Sequence, residues 1–110
     1  MRDNVYCGLL NAYYGSMLTE HQREIMRLYY DCDMSLGEIS EVTGVTRQAV
    51  REIIVRSTAK LTEWEEKLGL IKKVQGAVDT LENIIETAED KSVEEIKESL
   101  RRLMIEIKEI

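Results

Sequence analysis

The sequence predicts an all-α protein: a helix-turn-helix bundle followed by a C-terminal helical hairpin. Three observations carry the prediction. The 110 residues include no proline and no phenylalanine, and strong helix formers dominate over strand-like alternation. Ser/Thr-x-x-Glu/Gln capping boxes recur at Thr19–Gln22, Ser35–Glu38 and Ser92–Glu95, each marking a helix start. Apolar residues return in steps of three and four along most of the chain.

The first helix is expected over about Asn4 to Tyr14. Tyr6, Leu9, Leu10 and Tyr13 fall at helical spacing, and Gly15 is a natural stop. The box at Thr19 and Gln22 opens a second helix, about Glu20 to Tyr30, which turns Ile25, Met26, Leu28 and Tyr29 inward. Arg23 and Arg27 lie four apart on another face. They serve either as a solvated surface or as phosphate contacts.

The third and fourth helices form the most informative stretch, S-L-G-E-I-S-E-V-T-G-V-T-R-Q-A-V-R-E-I-I-V-R-S-T-A-K over residues 35–60. Ser35 caps a helix beginning at Leu36, and Gly44 ends it where the tight turn calls for a left-handed residue. Thr46 caps the next helix. Ile39, Val45, Val50 and Ile53 are expected to lock the two together, with Ser40 small enough for close approach. The outward face then presents Arg47, Gln48, Arg51, Val55 and Arg56, residue types that meet phosphates and base edges. With Ser35 and Thr46 at the helix starts, Arg47, Gln48, Arg51 and Arg56 make up the candidate nucleic-acid-binding set, and Gly44 is the structural turn. A plain helical hairpin within a helical core is the competing interpretation. Charge disfavours it. Residues 44–60 hold four basic side chains and one acid, a local +3 in a chain of net −6. Such a patch is a localised footprint rather than bulk composition.

The fourth helix is expected to outrun the motif. Val50, Ile54, Ser57, Leu61, Trp64 and Leu68 continue a heptad seam broken only by Ser57. Gly69 marks an end or a bend. Ile71, Val74, Val78, Leu81, Ile85 and Ala88 repeat the pattern, and after the break at E-D-K-S so do Val93, Ile96, Leu100, Leu103, Ile107 and Ile110. The chain thus divides into a helix-turn-helix domain, residues 1–69, and an αα-hairpin, residues 70–110.

Charge follows the same division. Residues 1–60 carry seven basic and eight acidic side chains, a net of −1, whereas residues 61–110 carry eight and thirteen, a net of −5. Phosphate would repel the second part, so nucleic acid is expected to meet the first. The acidic hairpin either handles protein or buttresses the first domain. A pI near 4.9 also disfavours sequence-blind coating of nucleic acid.

Catalysis finds no footing. His21 is the single histidine and stands in a first helical turn with no nucleophile nearby in sequence. No His/Cys/Asp/Glu group has metal-ligand spacing, Asp31 and Asp33 are too sparse for calcium, and the glycines never gather into a phosphate-cradling loop. Trp64 is a seam residue before it is a stacking platform. The expectation is a non-enzyme without cofactor or metal. Cys7 and Cys32 form no C-x-x-C and are expected to be reduced. The start M-R-D-N-V-Y-C-G has no signal-peptide core, and no apolar run reaches the length of a membrane span. A cytoplasmic location without membrane insertion is expected.

From Y-Y-G-S-M-L-T through S-L-G-E-I and G-V-T-R-Q-A-V to W-E-E-K-L-G-L, about Ala12 to Leu70, the chain resembles the YlxM family. These are small helix-turn-helix proteins of Gram-positive bacteria and their relatives, and more broadly the stretch is similar to region 4 of sigma factors, which reads promoter DNA. The resemblance implies a regulatory, DNA-facing role for Arg47, Gln48, Arg51 and Arg56, and an association with the signal recognition particle pathway. It equally implies an alternative, an accessory protein of that pathway binding its RNA or GTPase without regulating transcription. Two positions depart from the family pattern. Thr43 stands where an aromatic or apolar residue is usual, and Arg51 where an aromatic such as Tyr is common. DNA or structured RNA, and components of the signal recognition particle, are therefore the expected partners. The apolar stripes further predict a homodimer centred on Leu81, Ile85, Leu100 and Leu103. The alternative is that the hairpin folds back on Tyr6, Leu10 and Trp64.

Overall fold

The computed structural model describes residues 4–110. Expectations falling on residues 1–3, at the start of the first domain, lie outside that range. Among the described residues there are six α-helices and no strand: α1 (Asn4–Tyr14), α2 (Glu20–Tyr30), α3 (Leu36–Thr43), α4 (Arg47–Leu68), α5 (Leu70–Thr87) and α6 (Val93–Lys108). Short 3-10 turns at Gly15–Met17 and Ala88–Asp90 follow α1 and α5.

Local chemistry fixes the helix boundaries. At Thr19, Ser35 and Ser92 the hydroxyl accepts the amide of the third helical residue, whose side chain accepts the cap amide in return. Each reciprocal pair satisfies two otherwise orphaned donors, and losing such a cap costs about 1 kcal/mol. Two glycines supply left-handed backbone beside helix ends, Gly44 at φ 75° and Gly69 at φ 62°.

The contacts divide the chain into two compact units, Met1–Leu68 and Gly69–Ile110. In the first, α2 packs on α1, α3 and α4, and both α1 and α3 also pack on α4. Its core holds Leu10, Ile25, Met26, Ile39, Val50 and Leu61, all essentially inaccessible. Burying each such side chain contributes about 1.5–3 kcal/mol by transfer from water. Tyr14 anchors the far end of α4 by donating from its hydroxyl to Glu65 Oε1 at 2.5 Å. The tyrosine phase on α1 differs from the sequence expectation, since Tyr14 is buried while Tyr13 is half-buried and Tyr6 exposed. Apolar residues ring α1 on most sides, so its sequence sets no clear phase. On α4 the seam is buried at Val50, Ile54, Ser57 and Leu61, then opens through half-buried Trp64 to exposed Leu68.

In the second unit α5 packs on α6 as an antiparallel pair about the turn at Ala88–Asp90. Ile71, Ala77 and Leu103 are buried. Of the residues expected at the centre of an apolar surface, Leu103 is buried between the two helices, whereas Leu81, Ile85 and Leu100 are exposed.

Candidate nucleic-acid interface

The turn between α3 and α4 is built from three residues. Gly44 donates its amide to Ser40 O at 2.9 Å while its left-handed backbone reverses the chain. Thr43 donates its hydroxyl to Ile39 O at 2.7 Å and accepts the Val45 amide at 3.3 Å. Thr46 then accepts the Ala49 amide at 3.2 Å and starts α4. The off-type Thr43 is thus a hydrogen-bonded strut across the turn. Its role was hidden because a sequence shows the departure from an apolar residue but not the two backbone partners.

Below the turn, Ile39, Val50 and Ile54 are buried between the helices, whereas Val45 and Ile53 are only half-buried. The second anchor on α4 is therefore Ile54, one position beyond the residue expected from spacing. From the other side Tyr30 Oη lies 3.2 Å from Thr58 Oγ1, and that hydroxyl also reaches Met26 Sδ at 3.8 Å. Burial pushes the Tyr30 phenol above its ordinary value, so it stays protonated at neutral pH. These contacts pack α4 against α2 and α3.

Arg47, Gln48, Arg51 and Arg56 are all exposed on α4, and Ser35 and Thr46 are exposed at the starts of α3 and α4. Their environments differ. The Arg47 guanidinium lies against the first turn of α3: a Cβ added to Gly37 would come within 2.9 Å of Arg47 Nη2 and 3.1 Å of its Cζ. Gly37 thus packs beneath a candidate contact residue, a placement that spacing alone does not single out. The signal was present as the glycine of S-L-G-E-I, in a helix where glycine is costly without a packing reason.

Arg51 edges a hollow of about 560 Å³ whose walls include Tyr29, Tyr30, Leu36 and Val55. Arg56 lies 3.6 Å from Glu52, one turn back, with both side chains largely in solvent. Exposed pairs of this kind are worth little and exchange readily. Among the described residues no carboxylate lies within ion-pair distance of Arg47 or Arg51. Among the described residues the arrangement offers two guanidinium groups without an acidic partner on one side of α4, an amide side chain at Gln48 between helix start and face, and a third cation shared with an acid. Guanidinium forks of this kind match phosphate oxygens or the acceptor pair of guanine. No group of three His, Cys, Asp or Glu arranged to hold a metal occurs among the described residues. No helix among them is long and apolar enough to cross a membrane.

Comparison with known proteins gives the same motif. The family model described as "Putative helix-turn-helix protein, YlxM / p13 like" matches residues 1–101. A UPF0122 protein of Desulforamulus reducens is 44% identical over 95 residues, covering 86% of this chain and 81% of that protein. One from Caldanaerobacter subterraneus subsp. tengcongensis is 45% identical over 84 residues, 76% of this chain and 72% of its own. One from Symbiobacterium thermophilum is 39% identical over 106 residues, 96% and 99% of the two chains. The family match extends well past the Ala12–Leu70 stretch that carries recognisable motifs, through α5 and most of α6.

Proposed function

This chain belongs to the YlxM/p13-like helix-turn-helix family, and from that premise we propose that it is a non-enzymatic, cytoplasmic regulator that binds duplex DNA through α4. The observation that carries the reading is the pair Arg47 and Arg51, exposed and, among the described residues, without a carboxylate partner, on a helix packed against its neighbours. In a helix-turn-helix the second helix enters the major groove and its first turns meet base edges, while the first helix crosses the backbone. Arg47, Gln48 and Arg51 occupy those turns. Arg56 lies further along and touches the sugar-phosphate backbone once it leaves Glu52. Ser35, Gly37 and Thr46 sit at the two helix starts, where amide groups favour phosphate. The similarity to sigma region 4 supports promoter-type DNA as the target.

The alternative is an accessory role in the signal recognition particle pathway, with the particle's RNA or GTPase as partner. The acidic excess of residues 61–110 favours it, because that surface suits protein rather than phosphate. Ultraviolet crosslinking in cells, with identification of what is bound, separates the two. DNA recovered at a few discrete loci is the expected result. Recovery of one structured RNA and no DNA would replace the first reading with the second.

A further inference from the structure

The α5–α6 hairpin leaves one face uncovered. Val78, Leu81 and Ile85 on α5 and Leu100, Met104 and Ile107 on α6 are each 40–66% exposed. Between the helices this face dips into a groove of about 210 Å³, walled by Val78, Leu81, Leu103 and Ile107 among others. Contiguous apolar surface of this extent on a small soluble unit marks a contact site.

The charges bordering the face identify its occupant. Consecutive residues pass from seam to open face to rim, because each step turns the helix by about 100°. On α5, Ile84 is half-buried, Ile85 exposed and apolar, and Glu86 an exposed acid. On α6, Ser99 is half-buried, Leu100 exposed and apolar, and Arg101 an exposed base. One turn away on each rim stand Glu82 and Lys97, both exposed. The rim of α5 is therefore acidic, and that of α6 carries the bases Lys97 and Arg101, with the acid Glu94 one turn before Lys97. Counted from the turn at Ala88–Asp90, the two acids and the two bases lie at matching heights to within about one helical turn.

We propose that this face binds a second copy of the same chain, hairpin on hairpin, with α5 of each copy laid over α6 of the other. A two-fold axis along the helices brings the Glu82 and Glu86 rim beside the Lys97 and Arg101 rim of the partner copy, twice. The other closed arrangement, α5 on α5 and α6 on α6, runs each helix antiparallel to its own copy and carries the Glu82 and Glu86 rim away from the partner's Lys97 and Arg101. An isologous contact requires a surface complementary to itself, and the rims supply that property. Lys97 and Arg101 touch Glu94 and Glu98 within their own helix at 3.9 and 3.5 Å. These are solvent-exposed contacts that yield readily to another carboxylate. The apolar face supplies affinity, and the rims supply partner choice and register. The inference is independent of whether α4 binds DNA or RNA.

Sedimentation equilibrium of the full chain, from about 5 to 200 μM, tests it. The expected species is a dimer. Glu82→Lys with Glu86→Lys, and separately Lys97→Glu with Arg101→Glu, should each weaken association about tenfold or more at low salt while leaving the circular dichroism unchanged. All four changes together should restore the parent's association. Mixing the two double variants should give a heterodimer tighter than either alone, which keeps the test sharp if one double variant loses helix content. A monomer throughout the range would overturn the proposal. So would double variants that associate as the parent does.

Discussion

The Arg47 guanidinium lies directly over Gly37: a Cβ at Gly37 would lie 2.9 Å from Arg47 Nη2 and displace it. This contact ties the first helix of the motif to the candidate contact residue on the second. If Arg47 binds nucleic acid as proposed, Gly37 is where stability and binding can be varied separately.

Gly37→Ala should therefore act in opposite directions on the two properties. Alanine in a helix is favoured over glycine by about 0.5–1 kcal/mol, and the intruding methyl meets only the end of a flexible side chain. The variant should melt at or above the parent's temperature while binding DNA several-fold more weakly. Equal binding would show that the Arg47 position on Gly37 has no part in recognition.

At Gly44 the requirement is conformational. The backbone stands at φ 75°, yet nothing lies within 4 Å of where a Cβ would be. Space is not the constraint, so Gly44→Val should cost about 1–2 kcal/mol from backbone strain alone, and Gly44→Asn clearly less. Chemical denaturation of the two variants measures the difference. Similar losses would point to packing instead.

Ser57 interrupts the α4 seam with a hydroxyl that is fully buried and has no hydrogen-bond partner among the described residues. Such a group costs about 1–3 kcal/mol in desolvation when unsatisfied. Ser57→Ala removes the cost with little change in volume and should leave the protein as stable or more so. A loss above about 1 kcal/mol would reveal a partner, such as a bound water.

Acid should weaken the start of α3. The Ser35 amide, donating to Glu38 Oε1 at 3.0 Å, holds that carboxyl below its ordinary value. A carboxyl lowered in the folded state contributes stability above its unfolded pKa, about 4.3, and loses it as pH falls through the folded value. Glu38→Gln should therefore be less stable than the parent at pH 7, with the gap narrowing toward pH 3. A gap independent of pH would assign the effect to geometry rather than charge.

Much of this architecture was legible in the sequence because its punctuation is local. Thr19, Ser35, Ser92, Gly44 and Gly69 act through neighbours three or four residues away, and spacing exposes them. What stayed hidden acts across the fold. The Tyr14–Glu65 bond spans 51 residues, and choosing Tyr14 over Tyr13 depends on which side α4 approaches. Gly37 has meaning only once α4 places Arg47 above it. In the candidate site, the exposed basic residues could be named from helical periodicity. That Arg56 is shared with Glu52 while Arg47 and Arg51 are not depends on rotamers that periodicity does not specify.

The most direct test of the central claim is the salt dependence of binding to duplex DNA selected on the full-length protein, compared with Arg47→Ala/Arg51→Ala. The parent's log affinity should fall linearly with log salt. In the double variant, each arginine that neutralises a phosphate in the parent should make the slope shallower by about 0.9, and each that reads a base should weaken binding by about 1–3 kcal/mol. If affinity and slope are both unchanged in the double variant, α4 is not the nucleic-acid surface.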